Sequence, residues 1–365
     1  MNKNFWKNKN VLITGHTGFK GTWLTLCLSR MGANIIGISD NILGGQSLFE
    51  STNALSRLAQ HHFIDIRNYD ALSKVISNSK PDVLFHLAAQ PLVRESYKDP
   101  LATWHINVQG SLNVLESLKT INNLCACVMI TTDKVYKNKE WDFGYRENDE
   151  LGGHDPYSAS KAAAELAINS WYESFCKGAN STHKNIVVST ARSGNVIGGG
   201  DWAKDRIVPD TMKSLNNNQP IMIRNPKSTR PWQHVLEPLN GYILLAEKMY
   251  LSKQDNHDFP GFSGAFNFGP NLQSNKSVEE LVNEITLSWP GKIIVAKENN
   301  ANLHEANKLH LQNDKAYHVL GWEPRWPFDK TIFMTTQWYK QHFDAINSSS
   351  DEQLCLADLE DYLSL

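Results

Sequence analysis

Apolar positions in this chain gather into short unbroken runs that end in small or polar residues. Val11-Leu12-Ile13-Thr14, Ile35-Ile36-Gly37-Ile38, Val83-Leu84-Phe85-His86-Leu87 and Ala126-Cys127-Val128-Met129-Ile130 are the clearest. Runs of strand length without polar alternation predict strands covered on both faces. Between the first two, Trp23, Leu24, Leu26 and Leu28 follow a helical pattern. Strand, helix and strand in this order predict an α/β fold built on a doubly wound parallel sheet. A further segment, Phe63-Ile64-Asp65-Ile66-Arg67, fits the same rhythm. Later, Asp155-Pro156-Tyr157-Ser158 reads as a helix start, with Asp155 as N-cap and Pro156 in the first turn.

The turn after the first strand is Gly15-His16-Thr17-Gly18-Phe19-Lys20-Gly21. Its glycines are spaced three and three, a variant of the dinucleotide fingerprint of Rossmann sheets. Such glycines give a tight turn, close backbone approach to a pyrophosphate, and a helix N-terminus aimed at the anion. Gly15, Thr17, Gly18, Phe19 and Gly21 are therefore the expected cofactor loop. Asp40 ends the second strand, where it fits either a ribose-binding carboxylate or a solvated loop residue. Asp65 and Ile66 are placed at the adenine edge. Leu87, Ala88 and Ala89 end the next strand, and the small residues there admit a flat cofactor. The cofactor expected from this set is NAD.

Tyr157 and Lys161 lie four residues apart, on one face of the expected helix. A free tyrosine has a pKa of about 10, and lowering it by three units takes about 4 kcal/mol. A neighbouring ammonium favours phenolate, so the pair suits removal of a proton from an alcohol as its carbon is oxidised. Thr131-Thr132-Asp133-Lys134 follows the Ala126–Ile130 run, beyond the carboxyl end of a strand, where open α/β sheets hold their ligands. Strict alternation sends Asp133 and Lys134 to opposite faces, so both reach one substrate only if the strand turns near Thr132.

The glycine loop, Thr132-Asp133-Lys134 and Tyr157-Ser158-Ala159-Ser160-Lys161 together resemble the extended short-chain dehydrogenase/reductase superfamily. Within it the chain is similar to the nucleotide-sugar 4,6-dehydratases, and most to their CDP-glucose branch. The resemblance runs from Trp6 to about Trp338. It includes Ala89-Gln90-Pro91-Leu92-Val93-Arg94, Gly194-Asn195-Val196-Ile197-Gly198-Gly199-Gly200-Asp201-Trp202 and Arg230-Pro231-Trp232-Gln233-His234-Val235. Members acting on dTDP-glucose carry Asp-Glu where this chain has Asp133-Lys134.

The resemblance implies an NAD-dependent hydro-lyase that makes a nucleotide 4-keto-6-deoxyhexose for surface polysaccharide (lipopolysaccharide) synthesis. Tyr157, as phenolate beside Lys161, takes the 4-OH proton, and Thr132 holds that oxygen. Lys134 removes the C5 proton and Asp133 protonates the departing 6-OH. It also implies a homodimer formed through the Tyr157 helix and its neighbour near Val108 to Lys119. An epimerase of the same superfamily needs Tyr157 and NAD but has no use for an acid that expels water. A scaffold without turnover needs neither Tyr157 nor Lys161.

From Thr211 to Leu236 there is no acidic residue, while Lys213, Arg224, Lys227 and Arg230 occur there. Guanidinium forks suit a diphosphate. The expected substrate contacts are Gln90, Arg94, Asn195, Arg206, Arg230 and His234, with His304 from a segment, His304-Glu305-Ala306, similar to one in the CDP-glucose branch. With 365 residues and a net charge of −2, the chain is not generally basic, so a free nucleotide sugar fits better than a nucleic-acid polymer. No run is long enough to span a membrane, and Met1 to Lys9 lacks the apolar stretch of a signal peptide. Five cysteines, mostly in apolar segments, suggest reduced thiols in the cytoplasm, with no metal site expected.

The expected organisation is a dinucleotide-binding domain over 1–194, joined by 233–269. Residues 195–232 and 270–345 form a smaller C-terminal α/β substrate lobe. The acidic tail, 346–365, reads either as a final amphipathic helix or as a partly disordered end.

Overall fold

The computed structural model describes residues 2–42, 46–178, 180–255, 260–295, 308–344 and 350–364. Its centre is a seven-stranded sheet of β1 (Asn10–Thr14), β2 (Asn34–Ser39), β3 (Gln60–Phe63), β4 (Val83–His86), β5 (Cys125–Ile130), β6 (Ile186–Ser193) and β7 (Gly264–Phe268). All neighbours are parallel, in the order β7-β6-β5-β4-β1-β2-β3. From β1 the chain winds outward one way through β2 and β3, then returns beside β1 and winds the other way from β4. That reversal leaves a crevice beyond the carboxyl ends of β1 and β4.

Helices cover both faces, which is why the strands carry uninterrupted apolar runs. Val11, Ile13, Phe85 and Val128 join one hydrophobic core, while Leu12, Leu84, Cys127 and Met129 join a second. The alternation is thus between two buried layers rather than between core and water. All five cysteines are buried and unpaired.

Two strands stop earlier than their apolar runs. β4 ends at His86, where the Leu87 amide makes a last bond to the Thr14 carbonyl (3.0 Å) and the chain turns away through Ala88 and Ala89. β3 ends at Phe63, so Asp65 and Ile66 lie in the turn after it.

Beyond β6 the chain forms small two-stranded pairs: Val196–Ile197 with Gln233–His234, Thr229–Pro231 with Asn275–Ser277, and Ile221–Ile223 with Ile293–Val295. The helices Ile207–Asn216, Val278–Ser288 and Phe328–Phe343 pack around them. The segment between, Leu236–Gln254, is a helix against β5 and β6 and leads into β7. Of the two readings of the tail, the structure gives the helix: Asp351–Leu363 starts in a Ser350 capping box and buries Leu354, Cys355, Leu359 and Tyr362. Arg30 with Glu360 and Arg57 with Glu352 tie it back to the sheet domain.

A charged network lies beneath the end of β5. Glu165, on the helix Pro156–Phe175, pairs with Arg192 of β6 at 2.9 Å, with both side chains at most 4% exposed. Its oxygens also accept from Thr131 (2.5 Å) and Thr190 (2.7 Å). Arg192 donates to the Tyr136 hydroxyl (2.7 Å), which donates to Asn267 of β7 (2.7 Å). Removing one member leaves the other charge buried and alone, a cost of about 3–5 kcal/mol. Glu165→Ala is accordingly expected to lower the urea midpoint by that much stability at unchanged slope; a loss below about 1 kcal/mol would show that the pair carries little.

Candidate active site

A cleft of about 1280 Å³ opens at the carboxyl ends of β1, β4, β5 and β6. Its floor is the glycine loop. Gly15 sits at φ 75°, and a Cβ on it would lie 2.7 Å from the Ala88 nitrogen, so no other residue fits without moving β4. A Cβ on Gly21 would lie 2.1 Å from the Gly15 carbonyl oxygen. Gly18 caps the helix Phe19–Arg30 without any side-chain bond, which leaves the first helical amides free to face the cleft.

Thr17 ties this loop to the end of β2 through Ser39 (2.7 Å) and the Asn41 carbonyl (2.8 Å). Phe19, Asp40, Asp65, Ile66, Leu87, Ala88 and Ala89 also line the cleft. The Arg67 guanidinium grips Asp65 (2.5 Å) and, chiefly through that hydrogen bond, holds its carboxyl below the ordinary range.

The opposite wall carries the polar cluster. β5 ends at Ile130, and a single 3-10 turn over Asp133–Val135 follows, so the chain has left its strand before Asp133. Thr132 caps this turn: its hydroxyl accepts from the Lys134 amide (3.3 Å) and donates to Asp133 Oδ1 (2.9 Å). Asp133 is 1% exposed, and its Oδ2 has no hydrogen-bond partner among the described residues. The helix Pro156–Phe175 starts in a capping box, with Asp155 accepting from the Ser158 amide (3.0 Å). Tyr157 in its first turn is 8% exposed.

The electrostatics differ from the expectation that Lys161 holds Tyr157 as phenolate. Burial pushes the phenol up to about 12, opposed first by its hydrogen bond with Thr132, while Arg206 is the cation that lowers it. Lys161 directs its ammonium to the Ile130 carbonyl (3.4 Å), and burial lowers it to about 8.

Arg94, Asn195, Arg206 and Arg230 also line the cleft, as do Lys134 and Lys161. Arg206 pairs with Asp201 (2.9 Å) and Arg94 with Asp205 (3.3 Å). Of the four cations between Thr211 and Leu236, Arg230 alone lines it; Arg224 pairs with Asp205 (3.1 Å) and Lys213 lies over Trp202.

Two expected substrate contacts lie elsewhere. His234 is fully buried between Trp23 and Trp326, 3.8 Å from Asp358 of the tail helix. Its imidazole packs against the two indole rings in the core and does not line the cleft. Gln90 spends its side chain internally, donating to Thr103 (2.9 Å) and accepting from the Leu92 amide (2.6 Å). His304 lies outside the described residues.

Two residues at the site carry no signal in the sequence. Lys20, from the glycine loop, donates to Ser193 Oγ (2.8 Å), which also accepts from Tyr242 (2.8 Å). Asn107 bridges the Gln90 carbonyl (3.2 Å) and Ser160 (2.9 Å) from a π-turn over His105–Gln109, holding β4's exit to the Tyr157 helix. In the sequence the lysine reads as a spacer between glycines, and nothing around the asparagine marks it.

A dehydratase family model described as GDP-mannose 4,6 dehydratase matches residues 12–335. A CDP-glucose 4,6-dehydratase of Salmonella typhimurium is 44% identical over 365 residues, spanning 100% of this chain and 99% of its own. The chain belongs to the GDP-mannose 4,6 dehydratase family. Human dTDP-D-glucose 4,6-dehydratase is a more distant relative, 26% identical over 92% of this chain and 91% of its own.

Solved structures share the fold. An epimerase of Methanothermobacter thermautotrophicus superposes with a TM-score of 0.75 at 22% identity, covering 95% of this chain and 96% of its own. A dTDP-glucose 4,6-dehydratase of Bacillus anthracis, in complex with NAD, does so with 0.71 at 20% identity, covering 90% and 96%.

Among the described residues no group of His, Cys, Asp and Glu is arranged to hold a metal, and no helix is long and apolar enough to cross a membrane.

Burial lowers Lys20 from 10.5 to about 7. Over that interval the unfolded chain holds a proton that the folded one has released, so stability rises with pH through it. Lys20→Met is expected to flatten the rise in urea midpoint between about 7 and 10.5. An unchanged slope would show that the amine is not desolvated.

Proposed function

We propose that this protein dehydrates CDP-glucose to CDP-4-keto-6-deoxyglucose, with NAD as an internal redox carrier. The observation that carries this reading is the full-length likeness, at 44% identity, to a CDP-glucose 4,6-dehydratase. The cradle suits the cofactor: Gly15, Gly18 and Gly21 leave the backbone bare where a pyrophosphate would lie, Ala88 and Ala89 leave room for a flat ring, and Asp40 lines the same cleft. Held there by the glycine loop, NAD would supply the hydride acceptor for oxidation at C4 and the hydride donor at C6.

The chain's own groups handle the protons. Tyr157 accepts the O4 proton, with Thr132 beside it to fix that oxygen. Oxidation at C4 acidifies the C5 proton, which Lys134 takes and later returns to C5. Asp133, almost wholly out of water, delivers a proton to the C6 hydroxyl so that water leaves rather than hydroxide. In a 4-epimerase the Asp133 and Lys134 side chains would stand in the cleft without a task. Arg206, Arg230, Arg94 and Asn195, which line the cleft, would bind the nucleotide diphosphate.

The deoxysugar product suits surface polysaccharide synthesis. A cytoplasmic setting fits the five buried, unpaired thiols. A homodimer through the Tyr157 helix fits the exposed Leu166 (62%) on that helix and the exposed Leu101 (73%) on the neighbouring Pro100–Trp104 segment.

Incubation with NAD⁺ and CDP-glucose in D₂O is expected to give a 4-keto-6-deoxy product, lighter by one water and carrying solvent deuterium at C5. Activity with a different nucleotide alone would overturn the substrate assignment. Tyr157→Phe is expected to cut turnover by about 10²–10⁴-fold with unfolding unchanged; full activity would remove Tyr157 from the chemistry.

A further inference from the structure

Ser193, the last residue of β6, stands where three segments meet. Strand alternation puts it on the same face as Ala191, toward the core that holds Trp23 and Tyr242, and puts Arg192 on the other, toward Glu165. Lys20 reaches it from the helix Phe19–Arg30 and Tyr242 from the helix Leu236–Gln254, each 2.8 Å from Ser193 Oγ. Its side chain makes no other hydrogen bond among the described residues.

Chemistry fixes the direction of both bonds. An ammonium has three protons and no lone pair, so Lys20 donates. Tyr242 is fully buried, and Ser193 is the one hydrogen-bond partner of its hydroxyl among the described residues. A Tyr242 that accepted would strand its own proton out of water, so it donates as well. Both lone pairs of Ser193 Oγ are then taken. Its single proton has no acceptor among the described residues, and one has to come from the cleft.

Ser193 is 2% exposed, yet it lines that cleft with Thr132, Asp133 and Tyr157. The residue after it, Gly194, has no side chain to close the gap: a Cβ there would come within 3.0 Å of Asp133 Oδ2. Ser193 therefore lies at the reacting end of the cleft, beside Asp133.

We propose that Ser193 is a ligand-binding hydroxyl, set as a donor by Lys20 and Tyr242, for an uncharged acceptor oxygen at the reacting end of the cleft. Two groups offer such an oxygen there, a hydroxyl of the hexose and the carboxamide of the nicotinamide. The inference rests on the dehydration proposed above, which supplies both ligands. A donor aimed before the ligand arrives needs no reordering on binding, and it accepts no bond from a group that can only donate.

The test is calorimetric titration of the full-length protein, freed of nucleotide, at about pH 6, where Lys20 holds its proton. NAD⁺ is compared with ADP-ribose, which lacks the nicotinamide, and CDP-glucose with CDP, which lacks the hexose. Each shortened ligand reports damage to the rest of the cleft. Ser193→Ala is expected to raise the Kd of a full ligand by about tenfold while its shortened partner stays within about twofold. A loss confined to CDP-glucose assigns the oxygen to the hexose, and one confined to NAD⁺ assigns it to the carboxamide.

Ser193→Thr keeps the hydroxyl and is expected to keep the parental ratios. Tyr242→Phe leaves the hydroxyl but frees it to turn, so it is expected to move the same ratio in the same direction by about two- to threefold. It also decides the matter should Ser193→Ala fail to fold. Equal weakening of each full ligand and its shortened partner, or ratios unmoved in both pairs, would overturn the role of Ser193 while leaving the dehydration standing. A parent protein that binds neither NAD⁺ nor CDP-glucose would overturn both.

Discussion

Glu165 and Arg192 are held out of water beneath the end of β5, and the geometry of the site depends on that contact. An ion pair so deeply buried is tolerable only when its remaining lone pairs and protons are satisfied, and here Thr131, Thr190 and the Tyr136 hydroxyl do this. Each partner comes from a different stretch of chain. The helix Pro156–Phe175, the end of β5, β6 and, through Asn267, β7 are therefore fixed relative to one another. Thr132 and Tyr157 sit one step above this network, on the first residue beyond Thr131 and two helical turns before Glu165.

The cleft above it gathers more cations than its acids neutralise at contact. Arg206 and Arg94 have carboxylate partners within 4 Å, while Lys20 and Lys161 bond to neutral oxygens. Such a site favours a ligand bearing phosphates, and desolvation by burial lowers both lysines, helped by Arg206 in the case of Lys20. The same burial raises the Tyr157 phenol, and Arg206 is the cation that opposes it.

Local patterns in the chain were readable because local physics controls them. The glycine loop is demanded by a backbone that approaches Ala88 too closely for a Cβ. The Asp155-Pro156 start supplies its own cap and φ restraint, and the four-residue spacing then puts Tyr157 and Lys161 on one helical face. The need for a turn at Thr132 followed from strand alternation alone. His234 and Gln90 were misplaced because a side chain's neighbours depend on which layer its short strand or turn joins. Trp23, Trp326 and Asp358, which enclose His234, come from the helix Phe19–Arg30, the segment just before the helix Phe328–Phe343, and the tail helix.

The sequence by itself determined the parallel α/β sheet, the cofactor loop and the pairing of Tyr157 with Lys161, since short apolar runs, glycine spacing and helical period act within a few residues. Tertiary structure alone decided which cation faces the phenol, that Lys20 enters the cleft, and that Asp133 is buried with Thr132 as its hydrogen-bond donor. Those are questions of desolvation and of distances between segments far apart in the chain, and no local pattern encodes them.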